Sequence, residues 1–399
     1  MKIVYLNYMW DLWGISIGST IKSLELLHGL SLQGHEIQKY WRRGDIGNQS
    51  RIETTESPQR RFLKKHLQRY LHEPGEIAKN IPSIREEIKI LKDENPDLVI
   101  ARVSSYNCSP VWLSKRFDIP FLIEIDSPSS YENIHFQKFF NRTRPILYGM
   151  EKQFIMSGKA AFTVSNQLQN YFIQRGIPET MLSVIPNGAD AQRFRPDLDH
   201  ETIKQRYQLN GSLVIGFVGS FIYWHGIENL MYIIKNILDS YKEVKFLMVG
   251  DGGPMKAGLE TFIRENKYQD RALLTGFVSH DDIPTYMSAM DIALAPYPGL
   301  DFFYYSPVKI YEYMSSGIAL VSTRIGQIAE VVEHGKTGLL STPDNREEFV
   351  AHIKTLIEDE ALRRAIARDA REEIMKKHTW EQRGKQLSDL CSQIVSCIE

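Results

Sequence analysis

Residues 216–230 read GFVGSFIYWHGIENL, and their order decides the fold: an apolar strand, a glycine-bearing turn, then a helix. Where a strand feeds a helix through glycine, the backbone can approach an anion, and the first N–H groups of the helix lie unpaired. Gly216, Gly219 and Gly226 supply the close approach, so the stretch reads as a cradle for phosphate. It contains no Arg and no Lys, and any cation for such a cradle has to come from elsewhere in the chain.

Outward from this unit, short apolar runs alternate with helical patterns, the signature of parallel sheets wrapped by helices. The first half gives KIVYLNY, EIQKYW, DLVIARV, PFLIEID, AFTVS and LSVIPNG as strands. After GADAQRFRPDLDHE the count restarts with SLVIGFVGS, VKFLMVGDG, ALLTGFV, DIALAPY, IALVST and TGLLS. We therefore expect an α/β fold of two Rossmann-like, doubly wound domains, 1–195 and 196–378, with a last helix from about Thr379 packing back on the first. Ligands of such sheets bind at the carboxyl ends of the strands, and a cleft between two domains is the default place for them.

Length supports two domains, since 399 residues exceed what a single core usually organises. A content of 43% hydrophobic and 24% charged residues excludes disordered and fibrous classes. No apolar run reaches the roughly 20 residues that span a bilayer. The start MKIVYLNYMWDLWG reads as a first strand rather than a signal peptide, so a cytoplasmic protein is expected. Cys108, Cys391 and Cys397 form no CxxC pair, and neither zinc nor a disulfide framework is indicated. Net charge is −1, but residues to Asp197 hold 26 Lys and Arg against 21 Asp and Glu, and the rest hold 22 against 28. The basic half would suit an anionic partner; balanced charge overall and the lack of a recognition motif argue against nucleic acid.

Several constellations carry chemistry. Gly14 and Gly18 flank a turn that opens the first helix, as a loop near a diphosphate would, although a plain tight turn fits equally. No GxGxxG follows the first strand, which excludes a dinucleotide fingerprint. PFLIEIDSPSSYE places Glu124 and Asp126 on one face at a strand's carboxyl end, with Glu132 beyond the turn. Such carboxylates would orient or deprotonate an acceptor hydroxyl; capping the next helix or pairing with an Arg remains the other reading. The acidic DLD at 197–199 follows Pro196 rather than a strand, so it reads as linker and not as a metal site.

Residues 297–323, YPGLDFFYYSPVKIYEYMSSGIALVST, say most. Ser306 and Pro307 open a helix in which Lys309 and Glu312, three apart, share a face. The cation would meet phosphate while the carboxylate takes ribose hydroxyls. A separate basic amphipathic helix at 58–72 (SPQRRFLKKHLQRYLHE starts at its edge) combines Arg60, Arg61, Lys64, Lys65 and Arg69 with Phe62, Leu63, Leu67 and Tyr70. It suits an anionic membrane surface at the inner face, or simply packs on the domain.

The ordered motifs FVGSF…WHG, VGDGGP, LTGFVSHDDIPTYMSAMDIALAPY, SPVKIYEYMSSGIALVST and GQIAEVVEHGKTGLL resemble the retaining glycosyltransferases of family 4. The resemblance is strong over 184–345 and looser over 1–183. It implies a GT-B fold and transfer, without a metal or other cofactor, of a sugar from a nucleoside diphosphate sugar, UDP before GDP, to a hydroxyl acceptor with retention. By the same resemblance Glu312 matches the second of two glutamates and holds the donor ribose, while the first is replaced by Tyr304. Phe303, Tyr304, Tyr305 and Ser306 would face the donor sugar, in part through backbone N–H groups. Gly250, Gly276, Phe277 and Val278 fall at the nucleoside, and Asp126 falls where members often carry a cleft His. Many members bind the diphosphate with Arg and Lys after the first strand of the second domain; here Gly219, Ser220 and His225 stand there, with Lys309 supplying the cation. The catalytic set implied is Asp126, Lys309 and Glu312. An epimerase or phosphorylase of the same fold and an inactive nucleotide-sugar binder are the alternatives, and oligomeric state is not legible.

Overall fold

The computed structural model describes residues 1–7, 17–41, 73–135 and 144–396. Gly14, Cys397 and the basic segment 58–72 lie outside the described residues. Contacts divide the chain into two compact units, Met1–Pro186 with Arg383–Glu399, and Asn187–Gln382. Each contains one six-stranded sheet flanked by helices, which is the GT-B class of fold.

In the first unit β1 (Lys2–Asn7), β2 (Glu36–Trp41), β3 (Leu98–Arg102), β4 (Phe121–Ile125), β5 (Ala160–Thr163) and β6 (Leu182–Val184) are all parallel. Their order is β2-β1-β3-β4-β5-β6, so the winding reverses between β1 and β3. Strands β3 and β4 are buried throughout, because helices cover both faces of a parallel sheet; hence their apolar runs, interrupted only by Arg102 and Glu124. At the other end of the chain, the helix Trp380–Ser396 brings Gly384 so close to Gly29 and Leu30 that a Cβ there would overlap their backbone.

The second unit holds β7 (Leu213–Val218), β8 (Val244–Val249), β9 (Ala272–Leu274), β10 (Ile292–Ala295), β11 (Ala319–Thr323) and β12 (Leu339–Ser341), again parallel. The order β12-β11-β10-β7-β8-β9 is that of a Rossmann fold, with the switch point between β7 and β10. The quoted stretch is β7, a 3₁₀ turn at Tyr223–His225, and the helix Ile227–Ser240. That helix buries Ile227, Leu230, Ile233, Ile234 and Ile237 along one stripe against the sheet, which holds its start at the switch point.

The dividing point falls after Pro186, ahead of the expected 195/196 boundary, because 187–196 is clasped by the second unit. Asn187 donates from its N–H to Ser306 Oγ at 3.0 Å, and the Asn187 amide also binds the Ser306 carbonyl. Further along, the Phe194 carbonyl accepts from Ser315 Oγ at 2.7 Å and from Arg371 at 3.1 Å. In the acidic 197–199 stretch, Asp197 lies 3.5 Å from Arg195 and Asp199 accepts from the Glu201 N–H at 3.0 Å. Among the described residues no helix is long and apolar enough to cross a membrane, and no three His, Cys, Asp or Glu side chains gather as a metal site.

Candidate functional site

The carboxyl ends of β7 and β10 lie side by side, and both strands lead into tight exits. Beyond β7, Gly219 has φ +142°, a conformation closed to most L-residues. A Cβ on it would come within 2.9 Å of Lys309 Nζ and 3.3 Å of His225 Nδ1. The bare backbone, an ammonium and an imidazole therefore share one small space. The N–H of Val218 is held by Tyr313 Oη at 2.6 Å, which fixes the helix Val308–Ser315 against the end of β7. Gly226, with φ +76°, follows; a Cβ there would overlap the Pro296 carbonyl just past β10.

Lys309, the cation that the resemblance assigns to this turn, lies beside Gly219. Its Nζ lies 4.8 Å from the Phe217 ring centroid and 5.6 Å from that of Tyr297, and it forms no salt bridge among the described residues. Burial pushes its ammonium down to about 7, although Glu312 three residues on favours the charged form. His225, which the resemblance places at the diphosphate, carries no charge near neutral pH: burial and the neighbouring Lys309 charge drive its imidazole down to about 3, against a bond to the Ser220 carbonyl. Its Nδ1–H donates to that oxygen at 2.8 Å, so the ring is neutral, and Nε2 carries no proton.

Directly beside Gly219, where a Cβ on Gly250 would overlap the Gly219 carbonyl oxygen, Gly250 after β8 bridges Gly276 after β9, and Phe277 beyond it is 69% exposed. Val278 packs on the core. Glu312, only 6% exposed, meets this loop through His280, whose Nε2 lies 3.1 Å from Oε1. The residues expected at the nucleoside are therefore gathered at neighbouring strand ends.

The expected sugar-facing group needs correction. Phe303 and Tyr304 are each 1% exposed, and Phe303 is ringed by Tyr297 at 5.1 Å and Tyr305 at 5.4 Å. These side chains are core, and a part at a sugar is left to the backbone. Ser306 is spent on Asn187.

In the first unit Asp126 sits one residue past β4, its side chain 19% exposed, above a buried ionic network. Lys22 Nζ lies 3.1 Å from Asp126 Oδ1 and also pairs with Glu124. Arg102 binds Asp126 Oδ2 and donates to Ser23 Oγ at 2.8 Å, and Tyr5 Oη donates to Glu124 at 2.7 Å. Burial alone would raise the Asp126 carboxyl; the Lys22 and Arg102 charges outweigh it and hold the group below its ordinary value. Glu124, 1% exposed and fully paired, cannot meet an acceptor, so that expectation is also corrected. Glu132 accepts from Ser127 Oγ at 3.0 Å in the first turn of Ser129–His135. Gly18 stands exposed in the first turn of the helix Ile17–Ser31, with open space around a would-be Cβ.

Sequence reasoning passed over Lys22, Arg102, Tyr5, Arg193, His280 and Tyr297. Two left a signal: Lys22 interrupts the buried stripe of its helix, and Arg102 closes the apolar run LVIAR, and charges so placed require partners.

Two family models match the chain, one in each half: Glycosyltransferase Family 4 over residues 22–193 and Glycosyl transferases group 1 over residues 212–359. A 2-deoxystreptamine glucosyltransferase of Streptomyces kanamyceticus is 28% identical over 49% of this chain and 50% of its own length. An alpha-D-kanosaminyltransferase of the same organism is 25% identical over 71% of this chain and 73% of its own. The chain thus spans about half the length of the first of these relatives. Among solved structures, a sucrose-phosphate synthase of Thermosynechococcus elongatus superposes with a TM-score of 0.74 at 18% identity, over 99% of both chains. Anabaena HepE in complex with UDP-glucose gives 0.72 at 20% identity, over 98% of this chain and 100% of that one. These structures share the fold, and the two family matches support a GT-B glycosyltransferase family.

Proposed function

We propose that this chain, with a glycosyltransferase model matched in each half, moves a sugar from a nucleoside diphosphate sugar to a hydroxyl acceptor, with retention and without a metal. The observation that carries the reading is Lys309: a cation with no carboxylate in contact among the described residues, held against the bare backbone of Gly219 at the switch point of a Rossmann sheet. Such a place suits the diphosphate of a donor, and UDP is the first choice because solved structures of like fold hold it.

The chemical problem is the charge that develops on the leaving diphosphate as the glycosidic bond breaks. Lys309 and the N–H groups at the start of Ile227–Ser240 stabilise that charge from positions set before the reaction. Glu312 takes the ribose. Asp126, kept ionised by Arg102 and Lys22, is a weak base, so it orients the acceptor hydroxyl while the donor's own phosphate oxygen receives the proton.

UDP- and GDP-sugars incubated with panels of hydroxyl acceptors, with products read by proton NMR, test both transfer and anomeric configuration. The expected product keeps the donor's configuration, forms equally in the presence of EDTA, and forms roughly 10²- to 10³-fold more slowly with Lys309→Ala. Undiminished turnover in that variant removes Lys309 from the mechanism; formation of an epimeric nucleotide sugar with no acceptor present replaces transfer by epimerisation.

A further inference from the structure

A carboxylate only 6% exposed needs a partner to stay charged, and Lys309, on the same helix, is turned to Gly219 instead. The partner of Glu312 is His280. A carboxylate accepts, so the His280 Nε2 that lies 3.1 Å from Glu312 Oε1 carries the proton. Nδ1 is then free to accept, and Arg193 Nη2 donates to it at 3.2 Å. The same guanidinium nitrogen lies 3.3 Å from the His280 carbonyl and 3.1 Å from Asp281 Oδ1, gripping the residue from both sides.

Arg193 is itself fixed. Its N–H donates to Asp190 Oδ1 at 3.1 Å, and the ring of the next residue, Phe194, stands 5.8 Å from the imidazole. The Phe194 carbonyl is bound by Ser315, on the last turn of the helix that carries Glu312. Arg193, His280 and Glu312 therefore close a loop through two attachments of one turn to one helix.

We propose that His280, backed by Arg193, is a positioning residue for the donor nucleoside: it holds one oxygen of Glu312 so that the other is presented to a ribose hydroxyl. The inference rests on the donor reading of this unit. A neutral imidazole suits the task, because it orients the carboxylate while leaving its negative charge for the ribose; a cation in that place would weaken it as an acceptor.

Calorimetric titration of UDP, GDP and their 2′-deoxy and 3′-deoxy forms into the wild type, His280→Ala, His280→Gln and Glu312→Gln tests this. For the diphosphate that binds the wild type more tightly, loss of the contacted hydroxyl weakens binding roughly tenfold or more. His280→Ala erases most of that discrimination while binding the deoxy form as the wild type does; His280→Gln, with an amide N–H at the place of Nε2, restores much of it. In turnover, His280→Ala raises KM for the donor and leaves kcat nearly unchanged, a split that mere loosening of the fold does not give. Full discrimination in His280→Ala, beside lost discrimination in Glu312→Gln, overturns the role of His280 and spares the donor reading. Full discrimination in both variants removes the ribose from Glu312 and His280 together. Failure of the wild type to bind either diphosphate overturns the donor reading and this inference with it.

Discussion

Lys309 loses water on entering the second unit, and its proton becomes negotiable near neutral pH. A bound diphosphate favours the charged form, so binding draws a proton onto the amine. Affinity for UDP therefore falls above about pH 7, by about tenfold per pH unit until the amine's value in the complex is passed. His225 does not contribute to that profile, since its ring stays neutral through the whole range. Titration of UDP between about pH 6 and about pH 9 checks both statements: His225→Asn, which keeps a donor for the Ser220 carbonyl, retains the fall, and Lys309→Met flattens it. A fall that vanishes in His225→Asn would return the charge to the histidine. Gly219 stands at the exit of β7 and Lys309 on the helix Val308–Ser315, and at this scale their meeting was legible only through the family resemblance, which assigned Lys309 as the cation for that turn. The burial of Phe303 was not, because it depends on Gly326, whose missing Cβ admits the Phe303 ring and carbonyl from a segment distant in sequence. Nor was the pairing of Glu124 with Lys22 and Tyr5, which three elements create together.

The strand, turn and helix at 213–240 show which features of an element its own sequence carries. Eleven of the twelve strands fall within the quoted runs and β5 starts one residue ahead of its own, at Ala160; a sheet covered on both faces demands apolar runs, whereas β2 at the edge, EIQKYW, is polar and part-exposed. The helix that Ser306 and Pro307 are expected to open is Val308–Ser315, with Pro307, in an extended conformation, as its cap. The affiliation of 187–196 was not legible, since it rests on bonds to Ser306, Ser315 and Arg371. Gly226 is the joint on which this element turns. Its φ of +76° and the adjacent Pro296 carbonyl leave no place for a Cβ, and the Asn229 amide donates to that same carbonyl at 3.1 Å. Gly226→Ala should thus cost about 2 kcal/mol or more of stability, from backbone strain and the shift of the helix start, and weaken UDP binding as well. Urea denaturation of the variant measures the first and titration the second; an unchanged midpoint with unchanged m would mean that the turn accommodates a methyl group, and the close approach to β10 would then have no energetic weight.

Taken whole, the molecule buries ionisable groups in both units, and the proton linkage of Glu87 and Glu151 in the first runs opposite to that of Lys309 in the second. In the first unit, burial pushes the Glu87 carboxyl up to about 8 despite a 3.0 Å bond from Ser109, and Glu151 up to about 7 despite its bonds from Ser130. Folded chains keep these protons where unfolded chains release them, so this unit loses stability as pH rises from about 4.5 to about 8. In the second unit Lys309 is the reverse case: between about 7 and 10.5 the unfolded chain holds a proton that the folded one has shed, so stability rises with pH across that window. Each unit has its own sheet and core, so their opening need not coincide. Hydrogen exchange resolved by peptide reads each separately. Between about pH 6 and about pH 9, the most protected amides of β3 and β4 should open more readily, and those of β7 and β8 less so, once the intrinsic exchange rate is divided out. Glu87→Gln removes a group that titrates only on unfolding and should flatten part of the first trend without touching the second; Lys309→Met should do the converse. A common slope in both units would mean that the chain opens as one cooperative body, and the balance of Glu87, Glu151 and Lys309 would then be visible only in their sum.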